Sequence, residues 1–494
     1  MKPTATKLTT SALLLAATTT ASAQSYVASP TPPASPGLLN EWLRQRDLNN
    51  TAWDIGAAVR LRYESKNNFG TSQNGGGTAG ANDLKAISPN ADNNTFMQRV
   101  KPHLGYTSEW FGFYVEGRGS YTSGDDRNPN PEADGPMDVH QAYVTLGNHK
   151  EFPLSLKVGR QELAYGDERL VGASDWTNLG RTFDAAKLRW QNKYFAADFF
   201  MSRLVVVDDN GFNTSNDYEI FSGVHASTKL IPKQTTDLYF LSRNVNTDAA
   251  TVIGAGLPAF LGGPAARDIY TIGTRWKSLP GEFGPWDYTV ELMGQFGHYN
   301  DPAAPVKGLE HEAYAAFAAA GYTWANAAWK PRVGLEYNFA SGDSDPNDGK
   351  HGTFDNLFPT NHKFYGFMDL VSLQNIHNVR LTGSLKPLPR LTLTGDCHLF
   401  WLANTSDNFY TVAGARRGGI ATTPGTGYGV NPNYSSYVGA ELDVTASYAL
   451  TGWSTLQGGY GHFFVGDYIK QSFSSTAVGA TDANWFYLQL NLNF

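Results

Sequence analysis

From Trp53 to the last residue, apolar and polar side chains alternate with a period of two, in segments of about ten residues. Such a strand shows one face to an apolar phase and the other to water. The final segment is the clearest case: Phe486, Leu488, Leu490, Leu492 and Phe494 alternate with Tyr487, Gln489, Asn491 and Asn493. A soluble edge strand of this kind would leave a row of apolar groups without a partner. A barrel closed in a bilayer solvates that row with lipid. The alternation predicts strands at 53–63, 96–108, 111–122, 139–147, 154–160, 183–191, 194–204, 218–229, 235–243, 269–278, 287–299, 312–324, 329–340, 376–386, 390–401, 439–449, 454–464 and 484–494. The connections alternate as well. Glu109-Trp110, Asn192-Lys193, Leu230 to Gln234 and Pro387-Leu388-Pro389 are short, whereas 64–95, 123–138, 161–182, 244–268, 341–375, 402–438 and 465–483 are long. Short turns at one end and long loops at the other are the signature of an all-β, antiparallel up-and-down barrel of the outer-membrane type, here with about 18 strands.

Composition agrees. Hydrophobic residues make up 41%, aromatics 13% and charged residues 17% of 494 residues, with a net charge of −7. No run after the N-terminus approaches the roughly 20 apolar residues of a spanning helix. An acidic chain is a poor binder of nucleic acid, and none is expected as a partner. Lys2 and Lys7, the apolar stretch Ala12 to Ala17, and Ala21-Ser22-Ala23 form a secretory signal, with cleavage expected near Ala23. Residues 24–36 are a Pro/Ser-rich linker. Residues 38–48 group Leu38, Leu39, Trp42 and Leu43; we read them as a loose segment in preference to a helix docked at the barrel mouth. The expected division is thus signal 1–23, linker 24–50 and barrel 51–494. Cys397 is the single cysteine, so no internal disulfide can form, and it is assigned to the barrel wall.

Alternation also sorts the charges. Val59, Leu61 and Tyr63 share one face of the first strand, Arg60, Arg62 and Glu64 the other. Arg99, Lys101 and His103 share a face, as do Glu116 and Arg118. Lys157 lies between Leu156 and Val158, Lys187 and Arg189 flank Leu188, and Arg275 and Lys277 flank Trp276. Arg332 precedes Val333, and Arg380 lies between Val379 and Leu381. An Arg or Lys at the midplane of the lipid face costs about 2–4 kcal/mol, so these cations are expected to line the lumen. The acids are expected in the loops, at Asp125, Asp126, Glu132, Asp134, Asp138, Asp208, Asp209, Asp217, Asp343, Asp345, Asp348 and Asp355. A basic ring selects anions, and guanidinium groups pair with carboxylates in a fork.

Two segments resemble the alginate export porin family. The first runs Gly159-Arg160-Gln161-Glu162-Leu163, Tyr165-Gly166-Asp167-Glu168-Arg169-Leu170, Asp175-Trp176-Thr177-Asn178 and Arg181-Thr182-Phe183-Asp184. The second runs from Ala340-Ser341-Gly342-Asp343 through Asp345-Pro346-Asn347-Asp348-Gly349 and Thr353-Phe354 to Leu357-Phe358-Pro359-Thr360-Asn361-His362-Lys363-Phe364-Tyr365-Gly366. The resemblance implies a single-chain barrel of 18 strands that passes a polyuronate through an arginine-rich constriction. It also implies that Arg160, Asp167, Glu168, Arg169, Arg181 and Asp184 lie in or near that constriction. The expected partners are outer-membrane lipid and lipopolysaccharide, an anionic poly- or oligosaccharide, and periplasmic export or uptake components. The barrel is expected to be monomeric.

Other patterns point elsewhere only weakly. Asp167, Glu168 and Asp184 could be imagined as glycosidase carboxylates, but nothing in the sequence sets the separation or the raised pKa that this chemistry requires. Gly425-x-Gly427-x-Gly429 has no following helix. In the Asp-rich stretch 342–349 the glycine falls one place late for a calcium loop, and Phe354 stands where a glutamate belongs, so a turn is expected. No catalytic residue, cofactor or metal is assigned. Against an anion channel stand a less selective diffusion porin, a barrel enzyme acting on surface glycans, and an adhesive barrel working through its loops.

Overall fold

The computed structural model describes residues 37–46, 51–70, 81–84, 92–127, 130–135, 137–148, 151–208, 211–246, 266–300, 308–417, 423–476 and 478–494. The expected signal, and residues 24–36 and 47–50 of the expected linker, lie outside them. The strands are β1 (Trp53–Asn67), β2 (Asp92–Thr107), β3 (Phe111–Ser123), β4 (Asp138–Leu146), β5 (Leu154–Gln161), β6 (Phe183–Gln191), β7 (Phe195–Val206), β8 (Thr214–Ser215), β9 (Glu219–Thr228), β10 (Gln234–Val245), β11 (Ala266–Ser278), β12 (Trp286–Asn300), β13 (Leu309–Thr323), β14 (Arg332–Ala340), β15 (Lys350–His351), β16 (Ile376–Leu388), β17 (Leu391–Leu402), β18 (Tyr437–Ala449), β19 (Ser454–Val465) and β20 (Ala483–Asn493). The two-residue pieces β8 and β15 attach to β7 and β13. The other 18 strands form the wall. Each pairs antiparallel with its neighbour in sequence, and β20 returns to β1, so no edge is left open.

The register follows the alternation. At the β1–β20 seam Val59, Leu61 and Tyr63 face Leu492, Leu490 and Leu488, while Arg60, Arg62 and Glu64 face Asn491, Gln489 and Tyr487. Leu488 and Tyr63 are exposed outside; Arg62 and Tyr487 are buried inside. The same exposed row continues through Leu292, Leu335, Leu381 and Val444. A contiguous apolar belt around a molecule needs an apolar solvent.

The segment 38–48 departs from its expected looseness. Leu38–Arg46 is a helix, α1. Its anchor is polar: buried Asn40 donates to Asp54 Oδ1 at 2.7 Å and accepts from the Ile55 amide at 2.9 Å. Leu38, Leu39 and Trp42, the residues that suggested a packing face, are exposed. One asparagine bonding to the start of a strand leaves no periodicity to read.

Candidate constriction and solute path

Two long loops, both from the same end of the barrel, turn into the lumen instead of outward. Loop A (162–182) joins β5 to β6, and loop B (341–375) joins β14 to β16. They meet side by side. Val171 and Phe358 form a parallel bridge. The Phe358 amide donates to Leu170 O at 2.8 Å, the Gly172 amide to Phe358 O at 2.9 Å, and the Thr360 amide to Glu168 O at 2.9 Å. Gly172 permits the approach, since a Cβ there would collide with the Thr360 hydroxyl. Phe358 packs its ring on Phe183 and Phe221, and Leu170, Leu357, Phe364, Tyr365 and Leu373 are buried with it. The centre of the lumen is thus apolar loop packing, with the polar path confined to its margins.

Wall cations fasten loop A. Arg60 donates to Asp175 O at 2.7 Å and Thr177 O at 2.8 Å. Arg99 pairs with the Asp175 carboxylate at 2.9 Å. Arg62 donates to Trp176 O at 2.8 Å, pairs with Glu64 at 2.8 Å and covers one face of the Trp176 ring at 4.1 Å. His362 of loop B stacks on Trp176 at 3.8 Å. Arg118 donates to Leu179 O at 2.6 Å and pairs with Asp134. Across the lumen, Asp167 of loop A receives Arg275 at 2.8 Å and Lys277 at 2.7 Å. Burial opposes the Asp167 charge, but these two cations outweigh it and hold its pKa at about 2. Arg169 of loop A pairs with Glu336 at 2.9 Å between the rings of Phe317 and Phe364. Loop B is held by Asp355, which lies 3.0 Å from Arg243 and 2.8 Å from Arg267. Arg181 donates to Gly172 O and Pro359 O, one carbonyl from each loop. Burial, with Arg243 next, lowers its pKa to about 10. Glu168 accepts from the Thr360 hydroxyl at 2.7 Å. Beyond the loops, toward the long-loop end, a cavity of about 820 Å³ is bounded by Trp176, Arg181, Val207, Asp217, Pro359 and Arg417.

Strand parity places the remaining predicted residues. Lys101, Lys157, Lys187, Arg189, Arg332 and Arg380 share the inner face with these groups. Lys101 pairs with Glu116 at 3.1 Å, Arg332 with Asp287, and Arg380 with Asp396 at 2.9 Å. Arg160 and Asp184 do not join them, which corrects the expectation that they line the lumen. They pair with each other at 2.9 Å in a cross-strand row with Ala142 and Arg203, on the face opposite Lys157 and Lys187. Arg160 lies an odd number of positions from Lys157, so one strand cannot aim both inward.

The assignment of acids to loops was incomplete. Glu64, Glu116, Asp198, Asp237, Glu291, Glu336, Asp396, Glu441 and Asp443 are all buried on the inner wall, most of them beside wall cations. The signal was present in the parity, since Glu64 continues the inward row of Arg60 and Arg62. The extracellular-type loops also join to one another. Arg417 is 3.6 Å from Asp83 and donates to Leu370 O. In loop B, Asp343, Asp345 and Asp348 each accept an amide two residues on, the turn chemistry expected there. Cys397 lies in the β17 wall.

Glu116, His140 and Glu162 bring three ligand-type atoms within 4.8 Å of one another. The same three groups take part in an ion-pair network. Arg118 Nη1 lies 3.3 Å from His140 Nδ1, and a guanidinium only donates, so the imidazole proton sits on Nε2, facing Glu162 at 3.2 Å. Lys101 lies between the two glutamates, 3.1 Å from Glu116 and 3.7 Å from Glu162.

The alginate export family model matches residues 52–481, a span that includes both inward loops and all but the last strand. The chain belongs to the alginate export family. No curated protein matches it. Solved structures share the architecture of this alginate export family member at low identity. OccK2 (OpdF) of Pseudomonas aeruginosa is 11% identical, with a TM-score of 0.53 over 89% of this chain and 98% of that one. A BenF-like porin of Pseudomonas fluorescens Pf-5 is 12% identical, with 0.52 over 89% and 99%. OccAB2 of Acinetobacter baumannii is 10% identical, with 0.53 over 89% and 98%. At such identity the likeness speaks for the fold alone. Family and fold together are those of an outer-membrane channel, so the short turns face the periplasm and the long loops the outside.

Proposed function

We propose that the channel passes a carboxylate-bearing saccharide, an alginate-like polyuronate, along the basic margin of the loop constriction. The observation that carries this reading is an asymmetry within ion pairs. On the β11 side of the loop seam two lysines, Lys277 of β11 and Lys363 of loop B, are more exposed than the loop A acids they pair with. Lys277 is 46% exposed and its partner Asp167 15%. Lys363 is 41% exposed and Glu168 6%. An anion passing there meets ammonium groups that their own carboxylates hold in place.

Opposite, by β1–β4, Asp175 and Glu162 are more exposed than Arg99 and Lys101. That acidic side favours a second reading, a less selective path for small anionic or dipolar solutes. Reversal potentials of the refolded protein in a planar bilayer, followed by addition of polyuronate, separate the two. Anion preference with polyuronate block, weakened in Lys277→Gln/Lys363→Gln, supports the first. Equal passage of neutral and anionic sugars supports the second, and cation preference refutes both.

A further inference from the structure

The inner wall of β5–β7 gathers three cations, Lys157, Lys187 and Arg189. Lys157 of β5 and Lys187 of β6 are direct register partners, and both point inward, because Val158 and Leu188 hold the outer face. Like charges directly opposite one another weaken an antiparallel pair. Arg189 is the next inward residue of β6. Asp198 of β7 serves Lys187 and Arg189, 3.5 Å from Lys187 Nζ and 2.9 Å from Arg189 Nη1. Lys157 makes no ion pair among the described residues. Its ammonium rests 3.6 Å above the Tyr143 ring, which attracts a cation without neutralising it. Tyr143 stacks on Tyr114 at 5.5 Å, and Tyr114 on His103 at 5.7 Å, so a ledge of rings runs along the wall beside the lysine. The group lies near the periplasmic ends of its strands: β5 starts at Leu154 and β6 stops at Gln191. Lys157 and Tyr143 are half-buried, within reach of the lumen.

We propose that Lys157, backed by Lys187 and Arg189, is a carboxylate-binding station at the periplasmic mouth, with Tyr143 and Tyr114 as the platform for the sugar ring. The inference deepens the polyuronate reading and rests on it. An ammonium is a point charge with no fixed fork, so each uronate can be held and released without a set orientation, as conduction past a binding site requires. The two facing lysines weaken the wall, and a bound anion offsets that repulsion.

The test records block of single channels by an oligouronate added to one side at a time, for wild type, Lys157→Met and Lys157→Arg. From the periplasmic side, Lys157→Met lowers the block on-rate about fivefold, Lys157→Arg keeps most of it, and from the outer side Lys157→Met matches wild type. Lys157→Met also withstands more denaturant than wild type, because the lysine opposition is gone; a merely structural lysine would not combine that gain with a one-sided loss. Wild-type on-rates from the periplasmic side in Lys157→Met, or equal losses from both sides, overturn the station while leaving the polyuronate path intact. A wild type that is blocked from neither side overturns the path and the station together. Competition by monomeric uronate equal to that of the oligomer at matched carboxylate concentration overturns the polymeric assignment.

Discussion

Asp355 lies between Arg243 of β10 and Arg267 of β11, and this carboxylate ties loop B to two strands of the wall. Burial works against its charge, and the two guanidinium groups prevail, holding its pKa far below the usual carboxylate range. A lowered folded-state pKa gives stability that is complete above the unfolded value, about 3.9, and is lost as the pH falls through the folded one. Asp355→Asn takes the shared carboxylate from two buried guanidinium groups, of which Arg243 keeps Glu219, a loss of up to about 3–5 kcal/mol. Its expected result is protease cleavage of loop B at neutral pH in a barrel that still migrates as folded. Arg160 makes a contrasting case. Its partner Asp184 is 37% exposed, and pairs so exposed contribute about 0–1 kcal/mol. Since both lie on the outer face, Arg160→Ala is expected to leave ion selectivity and polyuronate block as in wild type. A shifted reversal potential would place Arg160 in the path after all. The facing of Arg160 was legible in the sequence by counting from Lys157. The docking of Arg60 on loop A was not, since its shortest bonds go to backbone carbonyls, which carry no residue type to read.

Among the elements, the strands were legible because each is a two-faced object whose alternation is repeated 18 times. The inward turn of loops A and B could not be seen, because what holds them is a parallel contact between remote segments and a set of wall cations. Phe358 is the hinge of that contact. Phe358→Ala opens a void among Phe183, Phe221 and Leu357, at about 3–5 kcal/mol of local packing. The wall does not depend on that packing, so single-channel conductance should rise while resistance to heat in detergent stays near wild type. Loop B also meets the loop 403–436 through two acids. Asp407 accepts from the Asp343 amide, the Thr353 hydroxyl and the Tyr410 hydroxyl. Burial, with Asp407 beside it, pushes the Asp343 carboxyl up to about 6. A raised carboxyl pKa favours the folded form while the group is protonated, and that contribution fades as the pH rises from about 4 through 6. Proteolysis of these loops should therefore be slower at pH 5 than at pH 7.5. Asp343→Asn should flatten the difference.

For the whole molecule, closure of β20 on β1 removes every free edge, and the apolar belt outside and the ion pairs inside follow from one alternation. Strand number and order were therefore readable from Trp53 to Phe494. What the alternation could not convey is how full the interior is, since parity gives the direction of a side chain and not what it meets. The constriction is made of parts far apart in the chain: Glu168 and Thr360, which bond across the loop seam, are 192 residues apart. Loop A comes from the β5–β6 half of the wall and loop B from the β14–β16 half. A barrel that had delivered only one of them would be a leak, so the two halves of the chain share custody of the hole they enclose.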